Sequence, residues 1–196
     1  MKAPRQGDMR RTDKRERLIQ AAKTLYTQQG VQSTTLAQVA LTADVPSGNL
    51  YYHFKTKDAL TEAVIAAHGK DILDDLSRFN AERDPRRRLL AFLQGSLATK
   101  EQRARHGCPY AALMLELEKI SSSAASSAAN LLGLQLSWLE LQFRALGRED
   151  SEKLALHFLA GLQGSYLLSL SRHSTQLLEQ QVEQLERWVA ELVAGP

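Results

Sequence analysis

Ten consecutive residues, Gly48-Asn49-Leu50-Tyr51-Tyr52-His53-Phe54-Lys55-Thr56-Lys57, place an amide, two phenols, an imidazole and lysines just behind a turn. Those groups donate to phosphate oxygens and to base edges, so their chemistry suits a nucleic-acid backbone better than a catalytic reaction. Asn49 can pair with an adenine edge and Ser47 can donate or accept. Tyr51, Tyr52, His53 and Lys57 suit phosphate. His53 reads as a donor, not a metal ligand, because no second ligand lies at a metal-like spacing.

Elements that could position these groups are legible on both sides of the turn. Thr35-Leu36-Ala37-Gln38-Val39-Ala40 reads as a short helix opened by a Thr35/Gln38 capping box. Thr42-Ala43-Asp44-Val45-Pro46-Ser47 is the turn, and a second short helix follows, which together make a helix-turn-helix. Leu36, Val39 and Ala40 form the inner face of the first helix, and Val45 and Leu50 pack the second against it. Phe54 reads as core, and one of Tyr51 and Tyr52 as half-buried.

Charge points the same way. Residues 1–60 carry ten Lys/Arg against five Asp/Glu, and the remainder fifteen against seventeen. The positive excess therefore lies where the helix-turn-helix lies, as expected if that part alone meets phosphate.

Thr35, Ala40, Ala43, Val45, Gly48, Leu50-Tyr51, His53-Phe54, Lys57 and Leu60 together resemble the DNA-binding domain of the TetR family of bacterial repressors, over about Thr12 to Asp71. The sequence departs from the usual pattern at two positions, where Gly often stands at 44 and Ser at 46. Asp44 tolerates a left-handed backbone and Pro46 suits a first helical turn. The resemblance implies that Ser47 to His53 form a recognition helix in the major groove, with Thr35 and Gln38 on a supporting helix whose N-terminus faces phosphate. It also implies a homodimer on palindromic double-stranded operator DNA.

The fold class expected is all-α, with about nine helices near 12–29, 36–43, 47–53, 57–79, 84–104, 109–120, 122–146, 150–171 and 174–194. The domains expected are a basic disordered arm (1–11), the helix-turn-helix domain (12–60) and a helical effector-binding and dimerisation domain (61–196). Arg11 to Arg17 are candidates for phosphate contact, and Leu18, Ala21, Ala22 and Leu25 for the inner stripe of the first helix. Phe158 and Leu162, with the heptad-spaced Leu178, Val182, Leu185 and Val189, are candidates for a dimer surface. An intrachain core would use the same residues.

Phe92, Tyr110, Met114 and Trp138 are candidates to line an effector pocket. Cys108, the single cysteine, precedes Pro109, whose place in a first helical turn would set the thiol at a helix N-cap, where a thiolate is favoured. Such a thiol could meet an electrophile or oxidant, or it could simply fill space. Ser121 to Ser127 reads as a helix junction. The basic, polar N-terminus lacks a signal-peptide core, and no apolar run approaches the roughly 20 residues of a membrane span, so a cytoplasmic location is expected.

The leading expectation is a DNA-binding regulator, most simply a dimeric repressor released by a small molecule or by modification of Cys108, with no cofactor, metal or catalytic residue. The alternatives are a thiol-dependent enzyme using Cys108, and an architectural DNA-binding protein without an effector.

Overall fold

The computed structural model describes the backbone of residues 6–194 and the side chains of residues 13–192. Every regular element among them is helical: α1 (Gln6–Gln29), α2 (Leu36–Thr42), α3 (Ser47–His53), α4 (Lys57–Phe79), α5 (Pro85–Ala98), α6 (Lys100–His106), α7 (Pro109–Lys119), α8 (Ala125–Ala145), α9 (Ser151–Arg172) and α10 (Gln176–Ala194). The extra helix relative to the expected nine arises at Thr99, whose hydroxyl and amide both turn back to the Ser96 carbonyl and interrupt the ladder between α5 and α6. α1 starts at Gln6, so residues 6–11 of the expected arm are helical, while residues 1–5 lie outside the described residues.

Helix ends follow their local chemistry. Asp44, Ser121 and His173 all adopt positive φ, as do Gly30, Gly107 and Gly147. At Asp44 the amide donates to Leu41 O and the next amide, Val45, to Ala40 O. This is a Schellman motif closed by a residue other than glycine. Ser121 closes α7 in the same way, with Ser122 N donating to Leu117 O, so the serine-rich junction is a tight cap, and Ser126 and Ser127 already belong to α8.

The chain divides into two compact units: residues up to His68 together with 109–129, and 69–108 together with the residues from 130 onward. The boundary expected at residue 60 falls inside α4, and α7 groups with the helix-turn-helix.

In the first unit Leu18, Ile19, Ala22 and Tyr26 of α1 are buried with Val39, Ala40, Val45, Leu50, Phe54 and Leu60. Tyr26, one position beyond the expected Leu25, completes the stripe. In the second unit α9 packs on α10 and α6, and α10 on α5. Phe79, Phe92, Trp138, Phe158, Phe143 and Trp188 form a chain of ring contacts with centroids 5.7–6.0 Å apart.

α9 is long and apolar enough by length and composition alone to cross a bilayer, contrary to the expectation that no segment would be. Phe158, Leu162, Ser165, Tyr166 and Ser169 on it are nonetheless buried within the chain, as in a core helix.

Candidate nucleic-acid interface

The helix-turn-helix is built as the sequence suggests. Thr35 caps α2: its Oγ1 accepts from Gln38 N at 3.2 Å, and its own N–H donates to Gln38 Oε1 at 2.8 Å. Thr35 and Gln38 are therefore committed to each other, and they fix the N-terminus of α2. α2 buries Val39 and Ala40 and leaves Leu41 82% exposed at its end.

On α3, Leu50 is buried and Ser47 is exposed, with open space around Gly48. Asn49 and His53 are half-buried. Tyr51 and Tyr52 are 56% and 65% exposed, so neither is the half-buried member expected, because the short helix turns both rings away from Leu50. Tyr52 meets the edge of His53 at 5.3 Å. Phe54 is 3% exposed, as expected of core. Ser47, Tyr51 and Tyr52 thus share the outward side of one short helix.

Three internal braces hold this surface, and sequence reading missed each. Arg17 of α1 donates through Nη2 to the carbonyls of Ala43 and Asp44 at 2.6 and 2.8 Å, and to Asp44 Oδ2 at 3.1 Å. It closes the turn and is not displayed toward phosphate. Arg15 likewise lies over the Phe54 ring at 5.2 Å.

The second brace runs from α1 to α4. Tyr26 and Thr61 hydroxyls are 3.0 Å apart, and Thr61 Oγ1 donates to Lys57 O at 2.9 Å. Thr61 has one hydroxyl hydrogen, so Tyr26 is the donor. Burial pushes the Tyr26 phenol above its ordinary value.

The third brace lies between α1 and α2. Lys57 Nζ donates to Gln32 O at 3.1 Å, while Val31 and Gln32 donate their amides to the Glu116 carboxylate.

The remaining candidates scatter. Phe92 and Trp138 are each 7% exposed and stack at 5.7 Å, with Trp138 Nε1 donating to Asn80 Oδ1. They fill the core of the second unit. Tyr110 packs edge-on to His68 in the first unit, and Met114 is half-buried there.

Cys108 is 7% exposed in the second unit, immediately before the first residue of α7. Nearby Tyr166 lies under Arg103 at 4.9 Å, and burial raises its phenol above the ordinary value.

Phe158, Leu162, Leu178, Val182, Leu185 and Val189 are between 0 and 2% exposed, consumed by packing within the second unit, and so cannot face another chain. The apolar residues α9 does leave outward are Leu156, Leu167 and Leu168, at 59%, 66% and 54% exposure. Among the described residues no group of three potential metal ligands occurs.

A capped supporting helix, a left-handed turn and an exposed polar helix form a helix-turn-helix of the kind that DNA-binding proteins use. Residues 18–64 match the family described as bacterial regulatory proteins, tetR family. The transcriptional repressor KstR2 of Mycolicibacterium smegmatis is 38% identical over 61 residues, which span 31% of this chain and 28% of that protein. The regulator TtgR of Pseudomonas putida is 28% identical over 161 residues, 76% of this chain and 77% of TtgR. The crystal structure of Escherichia coli NemR in its reduced form superposes with a TM-score of 0.75 at 23% identity, covering 89% of this chain and 96% of that one. Residues 18–64 thus match the segment that defines the TetR family, and the chain as a whole is similar to transcriptional regulators that share it.

Proposed function

We propose that the protein is a cytoplasmic homodimeric repressor that binds palindromic operator DNA and is released by a small molecule or by modification of Cys108. The observation that carries the reading is the outward side of α3, where Ser47, Tyr51 and Tyr52 stand exposed behind a turn fixed by Arg17. In this reading Ser47 and Asn49 face base edges, and Tyr51, Tyr52, His53 and Lys57 hold phosphate. Thr35 and Gln38 act by setting the end of α2 against the backbone.

One head of this size offers too few contacts for useful specificity, so two heads sit about 34–36 Å apart on one face of DNA. The second copy docks on Leu156, Leu167 and Leu168 of α9, which replace the residues expected from the heptad pattern. Exposed leucines on one helix otherwise leave apolar area in water.

Release requires that the effector prefer the arrangement that does not bind DNA. Two triggers fit. The stacked rings around Phe92 and Trp138 supply an apolar lining that a ligand would have to part, with Tyr110 and Met114 as further candidates. Cys108 sits at the entry to α7, where a covalent change has a helix to displace. A redox response at this thiol would parallel NemR, whose crystal structure is of a reduced form. No catalytic role is assigned.

The test is titration of the purified protein against its own upstream DNA at two salt concentrations, with and without a mild thiol-reactive electrophile. Tight, salt-dependent binding lost on treatment and retained in Cys108→Ala supports the cysteine route. Binding indifferent to the electrophile favours a non-covalent ligand, and binding no tighter than to random DNA removes the reading.

A further inference from the structure

Between α1 and α2 the backbone depends on a side chain from far along the sequence. Gly30 adopts φ 84° and its amide closes α1 on Tyr26 O at 3.0 Å. The next two amides, Val31 and Gln32, point together at one carboxylate, at 2.7 Å to Glu116 Oε2 and 2.6 Å to Glu116 Oε1. Each oxygen takes one N–H, so the carboxylate is matched to the pair. The φ of 84° favours glycine, and a Cβ at residue 30 would lie 2.9 Å from Oε2 and push the carboxylate aside.

The braced turn is short and leads directly to the recognition elements. Gln29 Nε2 donates to Ser33 O and Thr34 Oγ1, and Thr34 Oγ1 donates to Gly30 O. Gln32 O receives Lys57 Nζ, and Thr35 opens the capping box of α2. Moving Val31 and Gln32 therefore moves both the N-terminus of α2 and the oxygen that holds Lys57. Gln29 and Thr34 belong to the same stretch of chain; Glu116 is the brace that α7 supplies.

We infer that Glu116 is a positioning residue for DNA recognition, its carboxylate fixing the turn at Val31 and Gln32 so that α7 sets the placement of α2, while the charge of Lys57 and its reach to phosphate do not depend on that turn. The inference rests on the reading of the helix-turn-helix as the DNA-binding surface. Glu116 itself touches no DNA in this account, and its negative charge is repulsive toward phosphate. Its loss therefore lowers specific binding without lowering random binding, a pattern opposite in sign to the removal of a phosphate contact.

The experiment uses the full chain and a duplex that the wild type selects from a random library, with unselected duplex as control. Glu116→Ala should bind the selected duplex about tenfold more weakly, with random binding unchanged or stronger and the salt slope unchanged. Glu116→Gln, which keeps one acceptor oxygen, should fall between.

Hydrogen exchange read at individual residues should show Val31 and Gln32 amides losing protection in Glu116→Ala, while Val39 and Phe54 amides keep theirs. Faster exchange at 31 and 32 with specific affinity unchanged would overturn the positioning role. Unchanged exchange would overturn the contact itself. A wild type that selects no sequence would remove the DNA reading and this inference together, whereas selection by the wild type with an unaffected Glu116→Ala would remove the inference alone.

Discussion

Arg17 and Asp44 are joined through the backbone: the guanidinium lies 2.8 Å from the Asp44 carbonyl and 3.1 Å from its carboxylate. The carboxylate side chain is fully exposed, so the carbonyl contacts to Ala43 and Asp44 carry the effect. Arg17→Met should lower unfolding free energy by about 1 kcal/mol and weaken specific DNA binding. Since no phosphate contact is lost, the slope of binding against salt should stay as in the wild type. A slope reduced by one ion would instead make Arg17 a phosphate ligand.

Asp44 closes its Schellman motif at φ 50°. A β-branched side chain fits that region poorly, so Asp44→Val should destabilise by about 1–2 kcal/mol, while Asp44→Gly should be tolerated. Chemical denaturation of the two variants checks the order.

On the DNA-facing side two substitutions should separate reading from gripping. Asn49→Ala should relax sequence preference at one base position, with a discrimination loss of about 1–3 kcal/mol. Lys57→Ala should weaken all duplexes about equally and lower the salt slope by about one unit. Selection from randomised duplex and titrations over a salt series distinguish them.

The proposed dimer through α9 makes a further demand. Leu167→Glu, at a site 66% exposed in the single chain, should leave the fold intact and shift the protein to monomer in sedimentation. Specific DNA binding should fall with it. A dimer that survives Leu156→Glu and Leu167→Glu together places the second copy elsewhere.

The pair Lys100–Glu179, with Nζ and Oε1 2.6 Å apart, links stability to pH. The hydrogen bond from Lys100 holds the Glu179 carboxyl below the usual carboxylate range, and the same bond raises Lys100 above its ordinary value. A depressed carboxyl stabilises above its unfolded value and loses that contribution as pH falls through the folded one. A raised lysine stabilises below its unfolded value and loses it as pH rises through the folded one. Glu179→Gln should therefore flatten the acid limb of the pH–stability curve relative to wild type.

Much of the fold was legible because helices announce their ends locally. The capping box at Thr35 and Gln38, the turn at Asp44 and the start of α7 at Pro109 are short-range signals, and all appear where expected. The residues missed are those whose partner is distant in sequence. Nothing near Glu116 marks it as a ligand for Val31, 85 residues away, and nothing near Arg17 marks it for Ala43. The heptad on α10 was a sound apolar face, but periodicity states that a face is buried without stating by which chain. The pocket candidates failed to separate from core for the same reason, since stacked rings such as Phe92 and Trp138 have the composition of both.

Lys57 is already engaged before any DNA arrives, its ammonium on Gln32 O and its carbonyl receiving Thr61. An ammonium has three N–H donors, so Lys57 can keep Gln32 O and still turn a second donor toward phosphate. A charge tethered in this way has less freedom left to lose on binding than one at the end of a loose side chain.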